Sequence, residues 1–88
     1  MRDQKFVQAV LVADAVNKSG SRGMDWEAIA SALDEWHAAA GLAKTKEGRR
    51  RTAYRAMDAL ESTLLYECIG DGRHSWNKKR VRRQGVMQ

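Results

Sequence analysis

The sequence contains no proline, a single cysteine and no long apolar run. Cys68 has no cysteine partner for an internal disulfide, which is typical of proteins in a reducing compartment. No segment approaches the roughly 18 apolar residues of a membrane-spanning helix. Asp14 interrupts the N-terminal apolar stretch, which lacks the core of a signal peptide. We therefore expect a cytoplasmic protein that does not contact a membrane. The absence of proline excludes nothing by itself.

Residues with catalytic or metal-binding chemistry are also sparse. The soft metal ligands other than methionine are Cys68, His37 and His74, and they lack the paired spacing of zinc sites. No serine, histidine and acid form a recognisable catalytic motif, and no glycine-rich phosphate loop is present. A chain of 88 residues also leaves little room for a substrate cleft. The sequence predicts a protein that is not an enzyme and needs no metal or cofactor.

Positive charge is abundant, and it is concentrated in the second half of the chain. The 88 residues are 43% apolar and 31% charged, which is typical of one globular domain with a modest core. Residues 1–43 contain four Lys and Arg against six Asp and Glu, whereas residues 44–88 contain twelve against five. The whole net charge of +5 thus arises in the second half. This asymmetry indicates a polyanionic partner.

Helical periodicity predicts two helices in the first half. The first covers residues 3–17, followed by a loop of Gly and Ser at 18–23 and a short extended residue, Met24. Asp25 is a suitable N-cap for the second helix, and Gly41 suits a left-handed C-cap. The buried face of this helix is predicted from residues at helical spacing: Trp26, Ile29, Ala30, Leu33 and Trp36.

A third helix, residues 46–63 with Thr45 as its cap, is predicted to have a buried face and a basic face. At 100° per residue, one stripe contains Ala53, Met57, Leu60 and Leu64. The opposite stripe contains Glu47, Arg51, Arg55 and Asp58, and its positive charge lies toward the N-terminus. Tyr54 lies to the side of this helix, a position from which it could either pack against the core or contact a phosphate.

The spacing of apolar residues is no longer helical after this helix. Residues 65–69 suit a β-strand, the tripeptide Gly-Asp-Gly at 70–72 suits a turn, and 73–77 are predicted to return antiparallel. Trp76 is expected to anchor that return strand to the core. The basic run KKRVRR, 78–83, follows. We therefore expect a folded domain over 1–77 and a flexible basic tail over 78–88.

This order of elements resembles a winged helix-turn-helix DNA-binding domain of the small bacterial or phage type. The resemblance covers residues 6–76, and its most specific part is RRRTAYRAMDALESTLLYECIGDGRHSW, residues 49–76. It implies a mainly α fold of three helices with a small β-hairpin. Helix 46–63 would then lie in the major groove of double-stranded DNA, with hairpin 65–77 as the wing. The link through 41–45 is longer than the usual turn of about three to four residues, which leaves the docking angle of the third helix open.

The residues alone favour the same interface. Arg51 and Arg55 project from one face, and either could make a bidentate contact to guanine that contributes ~1–3 kcal/mol of discrimination. Thr52 could touch a base or a phosphate. Phosphate contacts are expected from further basic side chains, which are Lys44, Lys46, Arg49, Arg50, Lys78, Lys79 and Arg80. Arg73 and His74, next to the hairpin tip, would reach an adjacent groove or the DNA backbone.

Two classes of function remain open from the sequence. One is DNA binding, as a small transcriptional regulator or a replication accessory factor. The other is a protein-interaction module on the same fold, such as a phage factor whose basic helix engages an acidic surface of a host protein. RNA binding is a weaker interpretation, because no stacking-aromatic motif is visible. The apolar stripe of the first helix, with Phe6 and Val10, further predicts a homodimer.

Overall fold

The fold is mainly α-helical with a small antiparallel hairpin, as predicted. A computed structural model of the chain describes residues 3–42, 44–70 and 78–85. The helices are α1 (Asp3–Lys18), α2 (Trp26–Ala39) and α3 (Lys46–Ser62), and a short 3-10 turn (Gly20–Arg22) follows α1. The strands are β1 (Tyr66–Ile69) and β2 (Arg80–Arg83).

Side-chain caps explain where α2 and α3 begin. The carboxylate of Asp25 accepts from the Ala28 N–H at 2.9 Å, and the hydroxyl of Thr45 accepts from the Gly48 N–H at 3.1 Å. Each cap satisfies an N–H group that has no partner within the helix. Gly41 has φ 72°, a left-handed conformation that glycine adopts without strain. The three predicted helix termini are therefore confirmed.

The core is formed where the three helices meet the hairpin. Its buried apolar residues are Val12, Val16, Ile29, Ala30, Leu33, Ala53, Met57, Leu60, Tyr66 and Val81. Trp26 is half-buried and packs against this cluster. The prediction that Trp36 lies in the core is wrong. The buried stripe of α2 ends instead at His37, four residues after Leu33, and Trp36 lies at its partly exposed edge.

The second strand differs from the sequence-based expectation. Residues Tyr66–Ile69 pair with Arg80–Arg83, so part of the expected tail 78–88 is folded. Val81 explains the pairing. It is the one apolar residue of the basic run, it is 0% exposed, and strand geometry turns its neighbours to the opposite face. Residues 71–77, with the predicted return strand, lie outside the described residues.

Met24 adds a third short segment to the sheet. Its N–H donates to the Val81 carbonyl and its carbonyl accepts from the Val81 N–H, both at 2.9 Å. The predicted extended conformation of Met24 is confirmed, and β2 lies between this residue and β1. The hairpin is thereby attached to the segment that precedes α2.

The end of α3 corrects one core prediction. Leu64 was expected on the buried stripe, but the helix ends at Ser62, and Leu64 has φ 67° and is 79% exposed. Helical phase does not continue past the last helical residue, so the side chain turns away from the core. Over the ranges that the structure covers, no helix combines the length and the apolar character needed to cross a membrane.

Candidate nucleic-acid interface

The outward side of α3 and the residues just before it carry a cluster of exposed positive charge. Arg51 and Arg55 are exposed and lie one helical turn apart, opposite the buried Ala53 and Met57. Lys44 and Lys46 are exposed at the N-terminal end of the same helix. We call Lys44, Lys46, Arg51 and Arg55 the basic face. Glu47 is exposed beside them and is the acidic residue of this helix turn.

The cations of the basic face form no ion pair with another described residue. The ion pairs found between described residues involve other cations, namely Lys18, Arg49, Lys78, Lys79 and Arg82. The N-terminal turn of α3 adds N–H groups and the positive end of the helix dipole. The arrangement can therefore attract and hold an anion without breaking an internal pair of the described chain.

Arg49, also predicted as a phosphate contact, lies in a different environment. Its Nε and one terminal nitrogen donate to the two carboxylate oxygens of Asp34 at 3.0 and 2.9 Å. The hydrogen bond lowers the pKa of Asp34 and raises the pKa of Arg49. This bidentate pair joins α3 to α2. A phosphate contact by Arg49 would have to compete with it.

Arg50 lies on an aromatic platform that sequence reasoning missed. Its guanidinium carbon is 5.6 Å from the ring centroids of both Trp26 and Tyr54. The two rings stack on each other, with 6.4 Å between centroids and 29° between planes. A cation over an aromatic ring is held electrostatically, so the platform orients this exposed arginine. The spacing of Arg50 and Tyr54 on one helix could have indicated half of this contact.

The basic residues at the start of β2 lie against the helices. Lys78 donates to Glu27 of α2 at 2.7 Å, and this hydrogen bond raises the pKa of Lys78. The Lys79 Nζ lies 3.7 Å from a carboxylate oxygen of Asp58 on α3. Arg80 is half-buried and pairs within the sheet. Arg73 and His74 lie outside the described residues.

Thr52 and Arg55 also border a groove between α1 and α3. The groove has a volume of about 650 Å³, and Lys5 of α1 and Lys44 contribute to its wall. Lys5 had no place in the predicted site, because only the packing of α1 on α3 brings it near the basic face. Thr52, which is half-buried, thus connects the predicted interface with this groove.

The two remaining candidates for chemistry lie inside the fold. Cys68 is half-buried, and burial raises the pKa of its thiol to about 11. His37 is buried and accepts from the Gln8 side-chain amide at 3.3 Å, and desolvation followed by the charge of Lys44 lowers its pKa. Among residues 3–42, 44–70 and 78–85, no group of three His, Cys, Asp or Glu side chains could hold a metal ion.

Neither a protein-family model, a curated protein nor a solved structure matches this chain.

Proposed function

We propose that this chain is a DNA-binding protein that places α3 in the major groove of a duplex. The observation that carries the proposal is the basic face, with Arg51 and Arg55 exposed on one side of a helix whose other side is core. An α-helix fits the major groove, where base edges present distinguishable donors and acceptors. In this role the protein would act as a small transcriptional regulator or a replication accessory factor.

The element order supports a winged helix-turn-helix arrangement. A helix, the extended residue Met24, two further helices and an antiparallel hairpin follow one another along the chain. The hairpin packs beside α3, since Lys79 at the start of β2 lies near Asp58. In the proposed complex, the hairpin takes the place of the wing.

Each basic residue has a proposed role that follows from its position. Arg51 and Arg55 would read bases, because they are exposed on the side of α3 opposite its buried residues. Lys44 and Lys46, next to the helix N-terminus, would bind phosphates, which position the protein without reading sequence. Arg50 would bind a phosphate at the flank, because the platform of Trp26 and Tyr54 limits the conformational freedom that it loses on binding.

Fluorescence anisotropy against a random-sequence duplex tests the proposal. Neutralised phosphates release counterions, so affinity depends on salt with a log–log slope of about −0.9 per contact. With about four contacts, raising the salt from about 50 to 200 mM should weaken binding roughly a hundredfold. No binding at the lowest salt would refute DNA binding and favour an acidic protein surface as the partner.

Alanine variants test the role of α3 once a preferred site has been selected. Arg51→Ala or Arg55→Ala should weaken the preferred sequence about 5- to 150-fold more than random duplex, which corresponds to ~1–3 kcal/mol. Lys18→Ala is the matched control, because it removes one exposed cation from α1 that pairs with Asp14. Equal losses on both duplexes would exclude base reading by these arginines.

A further inference from the structure

The groove between α1 and α3 combines an apolar floor with a cationic wall. Val12, Ala56 and Leu60 contribute apolar surface, and Lys5, Lys44 and Arg55 contribute three positive charges. No acidic side chain is among the described residues that line it. Its volume of about 650 Å³ lies within the roughly 300–1,000 Å³ that small-molecule sites occupy.

The two ends of the groove differ in chemistry. Gln8 of α1 contacts His37 near the end of α2, and the charge of Lys44 also acts on His37, so the N-terminal half of α1 lies beside the start of α3. At the other end, Asn17 accepts from the Tyr66 hydroxyl at 3.1 Å, just beyond α3. The two helices thus run in the same direction. The cations lie toward the first end, and the wall toward the second end is formed by Ala59, Leu60 and Thr63.

We propose that this groove binds a small anionic ligand with an apolar body, such as a medium-chain carboxylate. The anionic group would contact Lys44 and Lys5, and the apolar body would lie over Ala56 and Leu60. Charge complementarity selects this occupant. A second copy of the chain would bring its own net charge of +5 toward three cations, and a nucleic-acid backbone would leave the apolar floor without a partner.

Occupancy of the groove would oppose DNA binding, a consequence that rests on the proposed function. Lys44 and Arg55 belong to both the groove and the basic face, and Thr52 borders both. A bound anion would neutralise charge that the duplex also needs. Ligand and DNA should therefore weaken each other by the same factor, as linkage requires.

Titration followed by ¹H–¹⁵N NMR tests the site in the absence of DNA. Decanoate, below its micelle-forming concentration, should shift the amide resonances of Thr52, Ala56 and Leu60 with one saturable curve. Acetate has the charge without the apolar body, and decylammonium has the body with the opposite charge. Neither should produce these shifts at the same concentration. Equal shifts with either probe would overturn the proposal.

Two pairs of variants separate the groove from the rest of the surface. Ala59→Phe should abolish decanoate binding by filling the groove, whereas Ser62→Phe, exposed on the same helix outside the groove, should bind as the wild type does. Lys44→Gln should weaken binding about two- to fivefold. Lys18→Gln, which removes an exposed cation of α1 outside the groove, should leave it unchanged. Decanoate affinity that neither Ala59→Phe nor Lys44→Gln changes would place the ligand elsewhere. The comparison of Lys44→Gln with its lysine control tests whether the groove holds decanoate even if Ala59→Phe fails to fold.

A final measurement keeps this proposal separate from DNA binding. Failure of the duplex titration leaves the decanoate result intact, because the NMR experiment contains no DNA. If both ligands bind, anisotropy with saturating decanoate should show weaker duplex binding for the wild type and no change for Ala59→Phe. Undiminished duplex binding to the decanoate-saturated wild type would refute the competition.

Discussion

At the scale of single residues, the backbone at Gly23 leaves almost no room for another side chain. It is buried, with φ 73° and ψ −176°, a conformation that is essentially restricted to glycine. A Cβ at this position would lie 2.8 Å from the carbonyl oxygen of Val81. The short distance reflects the close approach of the segment before α2 to strand β2.

We expect Gly23→Ala to destabilise the fold by about 3 kcal/mol, because backbone strain and a clash with main-chain atoms act together. Gly20→Ala is the control. Gly20 is also left-handed, at φ 63°, but its Cβ would meet no atom within 4 Å, so the cost should be about 1 kcal/mol. Urea unfolding measures both. Equal losses would mean that the Val81 carbonyl does not restrict the side chain at position 23.

His37 predicts a second residue-scale effect, on the pH dependence of stability. Its pKa is lowered from 6.5 in the folded chain by burial and then by the charge of Lys44, so the unfolded chain takes up the proton first. The stabilisation is complete above pH 6.5 and is lost as the pH falls through the folded-state pKa. Asp34, the acidic neighbour, stays ionised in this window because its pKa is lowered from 3.8.

The melting temperature of the wild type should therefore fall between about pH 7 and pH 5, and that of His37→Gln should fall less. Glutamine can keep a hydrogen bond to Gln8 and has no proton to gain. Differential scanning calorimetry across this range measures the difference. Parallel curves for the two proteins would show that His37 does not control the acid sensitivity.

At the scale of elements, the junction of α2 and α3 limits how much charge the basic face can present. The pair of Asp34 and Arg49 fastens the first turn of α3 to α2 and withdraws one guanidinium from the surface. This one contact thus affects both the position of the proposed recognition helix and the positive charge that the helix presents.

Asp34→Asn should tighten duplex binding more than Glu35→Gln does. Both substitutions remove one exposed negative charge from α2, but only Asp34→Asn releases Arg49 for a phosphate contact. The log–log salt slope should also steepen by about one unit in Asp34→Asn alone. Anisotropy titrations at several salt concentrations measure both quantities. Indistinguishable slopes would mean that Arg49 does not reach the DNA.

The elements also show which features the sequence could predict. The three helices follow from local causes, namely apolar residues at helical spacing and the caps at Asp25 and Thr45. Strand β2 could not be predicted in this way, because a run with one apolar residue becomes a strand only through distant partners. The partners of Val81 are Met24 and strand β1.

The candidate site likewise has features that the sequence could predict and features that it could not. The exposure of Arg51 and Arg55 follows from helical phase, which the sequence contains. The platform under Arg50, the carboxylate that holds Arg49 and the approach of Lys5 all depend on how helices pack. Apart from the contact of Arg50 with Tyr54 on the same helix, these contacts join residues that are distant in the chain, and no local pattern specifies them.

At the scale of the whole molecule, charge and apolar surface are unevenly placed. The positive excess lies in the second half of the chain, whereas α1 exposes Phe6 to 70% and Val10 to 50%. These two side chains lie one helical turn apart and so form an exposed apolar patch. Their exposure is the feature that supports the predicted homodimer.

We expect the wild type to self-associate through α1, and Phe6→Ser to be monomeric with an unchanged melting temperature. A side chain that is mostly exposed contributes little to the core. Added salt should strengthen this association by screening the net charge, the opposite of its effect on DNA binding. Light scattering after size-exclusion chromatography measures the mass. Leu64→Ser, another exposed apolar site, is the control, and a monomeric wild type would contradict the prediction.

The bridge between Met24 and Val81 has a consequence for how the protein is made. A ribosome adds Val81 long after α1 and α2 have been synthesised, yet this residue completes the core between them and β1. Until β2 has been synthesised, the apolar core surface that Val81 covers stays exposed. A chain that stops at residue 77 would lack this strand, and a messenger truncated there should yield a product that cellular proteases remove.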